Sequence, residues 1–233
     1  MNNLQKRILT SLIIFPLSIF FIIQGGYYLL SFLFIIFLTA NYELFSVFNK
    51  KIIILFINLI LILALFSIYY LRSNHYLSTY ILIWVIILCI CSDIGGYVFG
   101  KTFKWGKLTA ISPNKTLSGV LGSFIFSFLS LLIMEEIVIG PLLQHQENEI
   151  QKLVPGLKIF GMDFLLPKYF FLSIVFSIAA QFGDLTISYF KRLEKVKDVG
   201  KILPGHGGIL DRIDGLMFVV IMAFVLDMFN VFP

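Results

Sequence analysis

Between Gly183 and Asp214 the chain reads GDLTISYFKRLEKVKDVGKILPGHGGILDRID, with four Asp, one Glu, four Lys, two Arg, one His and five Gly. Those residue types point to phosphate and metal chemistry. Carboxylates hold hard cations such as Mg²⁺, while Lys, Arg and backbone N–H groups hold phosphate oxygens. Asp184, Ser188 and Lys191 stand at i, i+4, i+7, so a helix carries them on one face. After Lys191 the helix gives way to a polar loop. Pro204, Gly205, Gly207 and Gly208 break helical geometry around His206, and the glycines let backbone N–H groups approach a ligand. Asp211 and Asp214 then open the next apolar run at i, i+3 spacing. Two acid-bearing helix ends therefore flank a basic, Gly-rich loop.

A second polar stretch lies upstream. Ser92-Asp93-Ile94-Gly95-Gly96-Tyr97-Val98-Phe99-Gly100 places a carboxylate about two turns from the end of an apolar run. An Asp inside a span costs roughly 2.5–3.5 kcal/mol on insertion scales and is usually paired or functional. The nearby glycines admit a neighbouring helix or a ligand, and Asp93 is expected to face the site. The loop from Lys101 to Thr116 carries four Lys and ends in Ser112-Pro113-Asn114-Lys115-Thr116. A basic loop is most often a topology signal. This one also leads into a helix start, where free N–H groups and the dipole attract anions.

The elements that must position these residues are almost all apolar. Of 233 residues 59% are hydrophobic and 13% charged, about half the charged share of soluble domains, and mean hydropathy is +0.95. The composition is that of an all-α, polytopic transmembrane helical bundle with no large soluble domain. Runs of about 20 apolar residues mark spans. Seven are counted, at about 8–23, 27–45, 52–71, 76–99, 117–139, 169–190 and 213–232, within a range of seven to nine. The first follows Lys6 and Arg7 but lacks a small-residue cleavage site, so it reads as retained. Residues 1–75 form N-terminal scaffold helices. Residues 76–233 form the catalytic region, with cytoplasmic loops at 101–116 and 191–212.

With the N-terminus in the cytoplasm, 14 of the 18 Lys and Arg fall on inside segments, and only Arg72, Lys152, Lys158 and Lys168 fall outside. That asymmetry favours N-in, C-out and puts both polar stretches on the cytoplasmic side. The net charge of +5 reflects those loops and not nucleic acid binding. Cys89 and Cys91, two apart in an apolar run, read as filler. Glu43 reads as an interfacial snorkelling acid, Asn58 as a helix–helix hydrogen-bond partner, and residues 140–168 as a solvated outside loop.

Ser188-x-Phe190-Lys191-Arg192, Lys197-Asp198-x-Gly200 and Leu203-Pro204-x-His206-Gly207-Gly208-Ile209-x-Asp211-Arg212-Ile213-Asp214 together resemble the signature of the phosphatidate cytidylyltransferase (CDP-diacylglycerol synthase) family. The segment from Asp93 to Gly119 resembles the same family, with its Asp-x-x-x-Tyr-x-x-Gly-[Lys/Arg] stretch and Ser-Pro-x-Lys-Thr element. Two departures stand out: Ser118 where many members have Glu, and Gly215 where Ser is common. The resemblance implies transfer of the cytidylyl group of CTP to phosphatidate, giving CDP-diacylglycerol and pyrophosphate. It implies Mg²⁺, with room for a second, monovalent cation, and it suggests a homodimer in the bacterial inner membrane.

On that reading Asp184, Asp211 and Lys191 are the catalytic candidates, and Asp184, Asp211 and Asp214 the metal ligands. Lys115 and Thr116 are candidates for the triphosphate; Arg192, Lys197 and Arg212 for phosphate clamps. Ser188, His206, Gly207, Gly208 and Asp93 complete the expected substrate-binding set, while Lys195 and Lys201 read as solvated loop charges. Two rivals share the residue chemistry. A CTP-dependent lipid kinase of the dolichol or phytol type would move the γ-phosphoryl group instead. A cation-coupled transporter would need mid-membrane acids and repeat symmetry, and no internal repeat is visible.

Overall fold

The computed structural model describes residues 3–74, 78–109, 112, 115–134, 167–200, 202–203 and 207–229. Among them the chain is all-helical: α1 (Asn3–Gln24), α2 (Gly26–Val47), α3 (Lys51–Asn74), α4 (Ser78–Phe103), α5 (Leu117–Met134), α6 (Pro167–Leu193) and α7 (Leu210–Met228). Each expected span overlaps one helix over its described residues. The continuation of the fifth span past Met134, residues 140–166 of the expected outside loop and His206 lie outside the described residues, while Pro167 and Lys168 already belong to α6.

Four helices are long and apolar enough to cross a membrane, over Gly26–Val47, Lys51–Ser73, Thr79–Phe103 and Phe170–Leu193. In α1 and α5 the apolar stretches are shorter, Leu12–Gln24 and Leu117–Ile133, and α7 carries Asp211, Arg212, Asp214 and Asp227. The outward faces match a hydrocarbon solvent. Phe34, Phe45, Ile52 and Leu55 are all more than half exposed, an apolar surface that water would not tolerate at this extent. The chain is a membrane protein.

Inside the bundle α4 is central, touching α1, α3, α5, α6 and α7, and the tightest pairs are α4–α5 and α6–α7. Leu61 of α3, Val85 and Leu88 of α4, Phe176 of α6 and Val219 of α7 form the buried core. Small residues set the close pairs, because backbones approach only where no side chain intervenes. A Cβ on Gly95 would collide with the carbonyl of Gly122 across the α4–α5 seam, and one on Gly183 would sit 2.6 Å from the Asp214 carbonyl across the α6–α7 seam. Serines lock the seams laterally: Ser92 and Ser177 hydroxyls lie 3.0 Å apart, and Ser123 donates to the Ser92 carbonyl at 2.9 Å.

Candidate active site

α6 delivers Asp184, Ser188 and Lys191 on one face, as their spacing predicts. Ser188 Oγ lies 3.3 Å from Asp184 Oδ1, in position to donate to it. α6 ends at Leu193 with Lys195 in the left-handed region (φ 58°) and the Val196 amide bonded back to the Lys191 carbonyl at 3.0 Å. That closing turn satisfies the last carbonyls of the helix. Arg192 joins it by donating to the Val196 carbonyl at 3.0 Å, on the outside of the turn. The next helix, α7, begins at Leu210 with Asp211 in its first turn.

Lys191 Nζ donates to Asp211 Oδ1 at 2.8 Å, and both side chains are over nine-tenths buried. The other oxygen, Asp211 Oδ2, accepts the backbone amides of Val199 at 2.9 Å and Gly208 at 3.1 Å. One carboxylate thus gathers the end of α6, the intervening loop and the start of α7. Removing one member of such a desolvated pair leaves an uncompensated charge, at about 3–5 kcal/mol. Gly207 adopts φ +90° and makes a short antiparallel bridge with Leu203, which tightens the turn.

The loop between α4 and α5 folds back on itself. Lys107 and Thr116 form an antiparallel bridge, the Leu108 amide bonds the Lys115 carbonyl at 2.8 Å, and the Leu117 amide bonds the Gly106 carbonyl at 3.0 Å. Thr116 then caps α5, its Oγ1 accepting the Gly119 amide at 3.1 Å, which satisfies one of the free N–H groups of the first turn. This anchoring brings Lys115 Nζ to 2.6 Å from Asp184 Oδ2. The pair links the two polar stretches directly.

A cavity of about 450 Å³ lies between these elements, within the range of small-molecule sites. Asp93, Lys115, Thr116, Asp184, Lys191, Asp211, Arg212 and Asp214 all line it, together with Asp198 and Gln181, which the sequence reading left out. Ser188 stands behind Asp184, while Arg192, Lys197, Gly207 and Gly208 do not line it. Lys197 and Arg192 are exposed, and Gly208 contributes its amide to Asp211 rather than to the cavity. The lining couples a carboxylate cluster to cationic groups. Asp184 is close enough to repel both Asp93 and Asp214, and Lys115, Lys191 and Arg212 moderate that repulsion.

The cytidylyltransferase family model matches residues 47–229, so the match takes in both polar stretches and all the helices that line the cavity. The chain belongs to the cytidylyltransferase family. It is similar to a phosphatidate cytidylyltransferase of Staphylococcus haemolyticus, 39% identical over 150 residues, which is 63% of this chain and 46% of the relative. A phosphatidate cytidylyltransferase of Helicobacter pylori strain J99 is 36% identical over 146 residues, 62% of this chain and 46% of the relative. The chain spans about half the length of the curated relatives it matches.

For a cytidylyltransferase the two departures read structurally. Ser118 is 1% exposed and its hydroxyl lies 3.0 Å from Thr116 Oγ1, within the α5 cap and off the cavity wall. Gly215 lines the cavity and also faces α6, where a Cβ would stand 3.1 Å from the Ala180 carbonyl. Among the described residues no three acids or other ligating side chains converge closely enough to hold a metal by themselves. Asp93, Asp184 and Asp214 nevertheless offer hard oxygen donors along one wall. That fits Mg²⁺, which keeps several waters and commonly uses one or two carboxylates plus substrate phosphates.

The residue that spacing misjudged is Glu43. It is 1% exposed, not interfacial, and its Oε2 accepts the Leu210 amide at 3.1 Å. A lone acid near a helix end carries no pattern that would have revealed this. Asn58, expected to bond across helices, has an Oδ1 with no hydrogen-bond partner among the described residues.

Proposed function

We propose that this chain transfers the cytidylyl group of CTP to phosphatidate. A phosphate oxygen of the lipid forms a bond to the α-phosphorus, the bond from that phosphorus to the bridging oxygen breaks, and pyrophosphate leaves. The observation that carries the reading is the meeting of two sequence stretches, 93–116 and 184–214, on one cavity. The names of the relatives supply the substrates. Both reactants are anions, so the site must gather cationic groups around them. Lys115 and the α5 start bind the triphosphate, and Lys191 and Arg212 orient the phosphate that attacks. Asp184 and Asp214 would hold Mg²⁺, Asp184 once Lys115 leaves it for the triphosphate, and the ion would supply charge to neutralise phosphate oxygens. Asp211, which the sequence groups with those ligands, would have to release Lys191 to join them. Its role in this reading is to hold Lys191 in place.

All seven helices cross the bilayer in this reading, and the cavity opens to the cytoplasm. The ends of α4 and α6 and the starts of α5 and α7 bound the cavity. The charge count puts that side in the cytoplasm, where CTP is. Purified protein given phosphatidate, Mg²⁺ and CTP labelled at the α-phosphorus should place label in a chloroform-soluble lipid, with γ-label recovered in pyrophosphate. Label from the γ-position in lipid would establish a kinase instead.

A further inference from the structure

Glu43 belongs to α2, outside the residues that match the family, yet it reaches the start of α7. Its side chain is 1% exposed. A carboxylate buried in an apolar helix is costly unless donors meet it, and here the donor is the Leu210 amide, at 3.1 Å from Oε2. The amides of Ile209 and Ile202 face the same carboxylate outside strict hydrogen-bond geometry. Oε1 has no hydrogen-bond partner among the described residues and lies against Gly200. A Cβ on Gly200 would collide with Glu43 Oε1, and one on Gly208 would stand 2.6 Å from Oε2. The loop therefore has glycine at the two points where it passes over this acid.

The loop is thus pinned from two sides. Asp211 holds Val199 and Gly208 by their amides from the cavity side. Glu43 holds Leu210, the residue before Asp211, from the side of the N-terminal helices. A second link runs parallel, from Asn49 Nδ2 to Glu194 Oε2 at 3.5 Å, between the ends of α2 and α6.

We propose that Glu43 is a positioning residue for the reaction: through the Leu210 amide it fixes the first turn of α7, and with it Asp211 and Asp214, against α6. This rests on the cytidylyl-transfer reading. The acceptor atom Oε2 is what the role requires, since it takes the Leu210 amide. Loss of the acceptor should disturb alignment and not nucleotide capture, because Lys115 and the α5 start are anchored independently.

The test compares Glu43→Leu, which keeps bulk and removes the acceptor, with Glu43→Gln, which keeps both. For Glu43→Leu, kcat should fall about tenfold or more, since small misplacements of reacting groups are expensive. KM for CTP should stay within about twofold, the mark of a transition-state effect. Amide hydrogen exchange should accelerate in residues 199–214 and stay unchanged in α4 and α5. Glu43→Gln should recover most of both. Unchanged exchange in residues 199–214 for Glu43→Leu overturns the proposal, as does acceleration spread equally over the bundle. A Glu43→Gln protein that exchanges like Glu43→Leu overturns it too. If wild-type protein forms no CDP-diacylglycerol, the proposed function fails, while the exchange comparison still decides whether Glu43 holds the loop.

Discussion

Asp211 and Asp214 look equivalent in sequence and differ in what they touch. Asp211 has both oxygens engaged, by Lys191 and two backbone amides. Among the described residues Asp214 Oδ1 accepts the next amide, from Gly215 at 2.8 Å, an interaction that Asn can keep. Asp211→Asn is therefore expected to destabilise the protein by on the order of 3 kcal/mol, through the stranded Lys191 charge. Asp214→Asn is expected to leave the thermal midpoint nearly unchanged and to lower turnover on the order of 10³-fold, the effect of a lost metal ligand. Melting curves and Mg²⁺ titrations on both variants check this. Equal loss of stability in both would remove the distinction. Helical periodicity was enough to group Asp184, Ser188 and Lys191 on one face. It could not pair Lys115 with Asp184, since that contact depends on the bridge between Lys107 and Thr116.

Among the elements, the α4–α5 pair governs where Lys115 sits. A Cβ on Gly122 would meet both the Gly95 carbonyl and Phe99 Cβ, the latter at 2.5 Å. Gly122→Val should push the helices apart, lowering stability by about 1–3 kcal/mol, as overpacking does. It should also raise KM for CTP by moving Lys115 and the Thr116 cap. A normal KM in the folded variant would show that the nucleotide does not use this seam. The helices themselves were legible, because runs of some 20 apolar residues leave few alternatives. Which helices pair closely was only partly legible: glycines near Asp93 announced a close neighbour but not that the neighbour is α5. The acid of α2 was misread because burial is a property of packing, and a single helix does not display it.

For the molecule as a whole, the charged side chains that line the cavity gather at one end of the bundle. At the opposite end Arg72 of α3 donates to the carbonyls of Ile22 and Ile23, closing α1 onto α3. The charge asymmetry predicts that the cavity end is cytoplasmic. Lys197, exposed on the loop after α6, offers a labelling position. Lys197→Cys should resist an impermeant maleimide in intact cells and react after permeabilisation, while Ser73→Cys at the far end of α3 should react in both. Labelling of Lys197→Cys in intact cells would reverse the orientation.

The charges of α7 bear on how the chain enters the bilayer. Asp211, Arg212, Asp214 and Asp227 lie near the two ends of its 19 residues, and the uncharged stretch between them, 215–226, has 12 residues where a span needs about 20. The Lys191–Asp211 pair and the bare Gly183 face join α7 to α6 before any substrate is present. Biogenesis should therefore proceed by a helical hairpin, with α6 as the leading arm and α7 as a passenger. In a translocon reporter carrying glycosylation acceptors, α7 alone should fail to integrate. The segment from α6 through α7 should integrate, and Lys191→Leu in that segment should lower the fraction integrated by leaving Asp211 without its counter-charge.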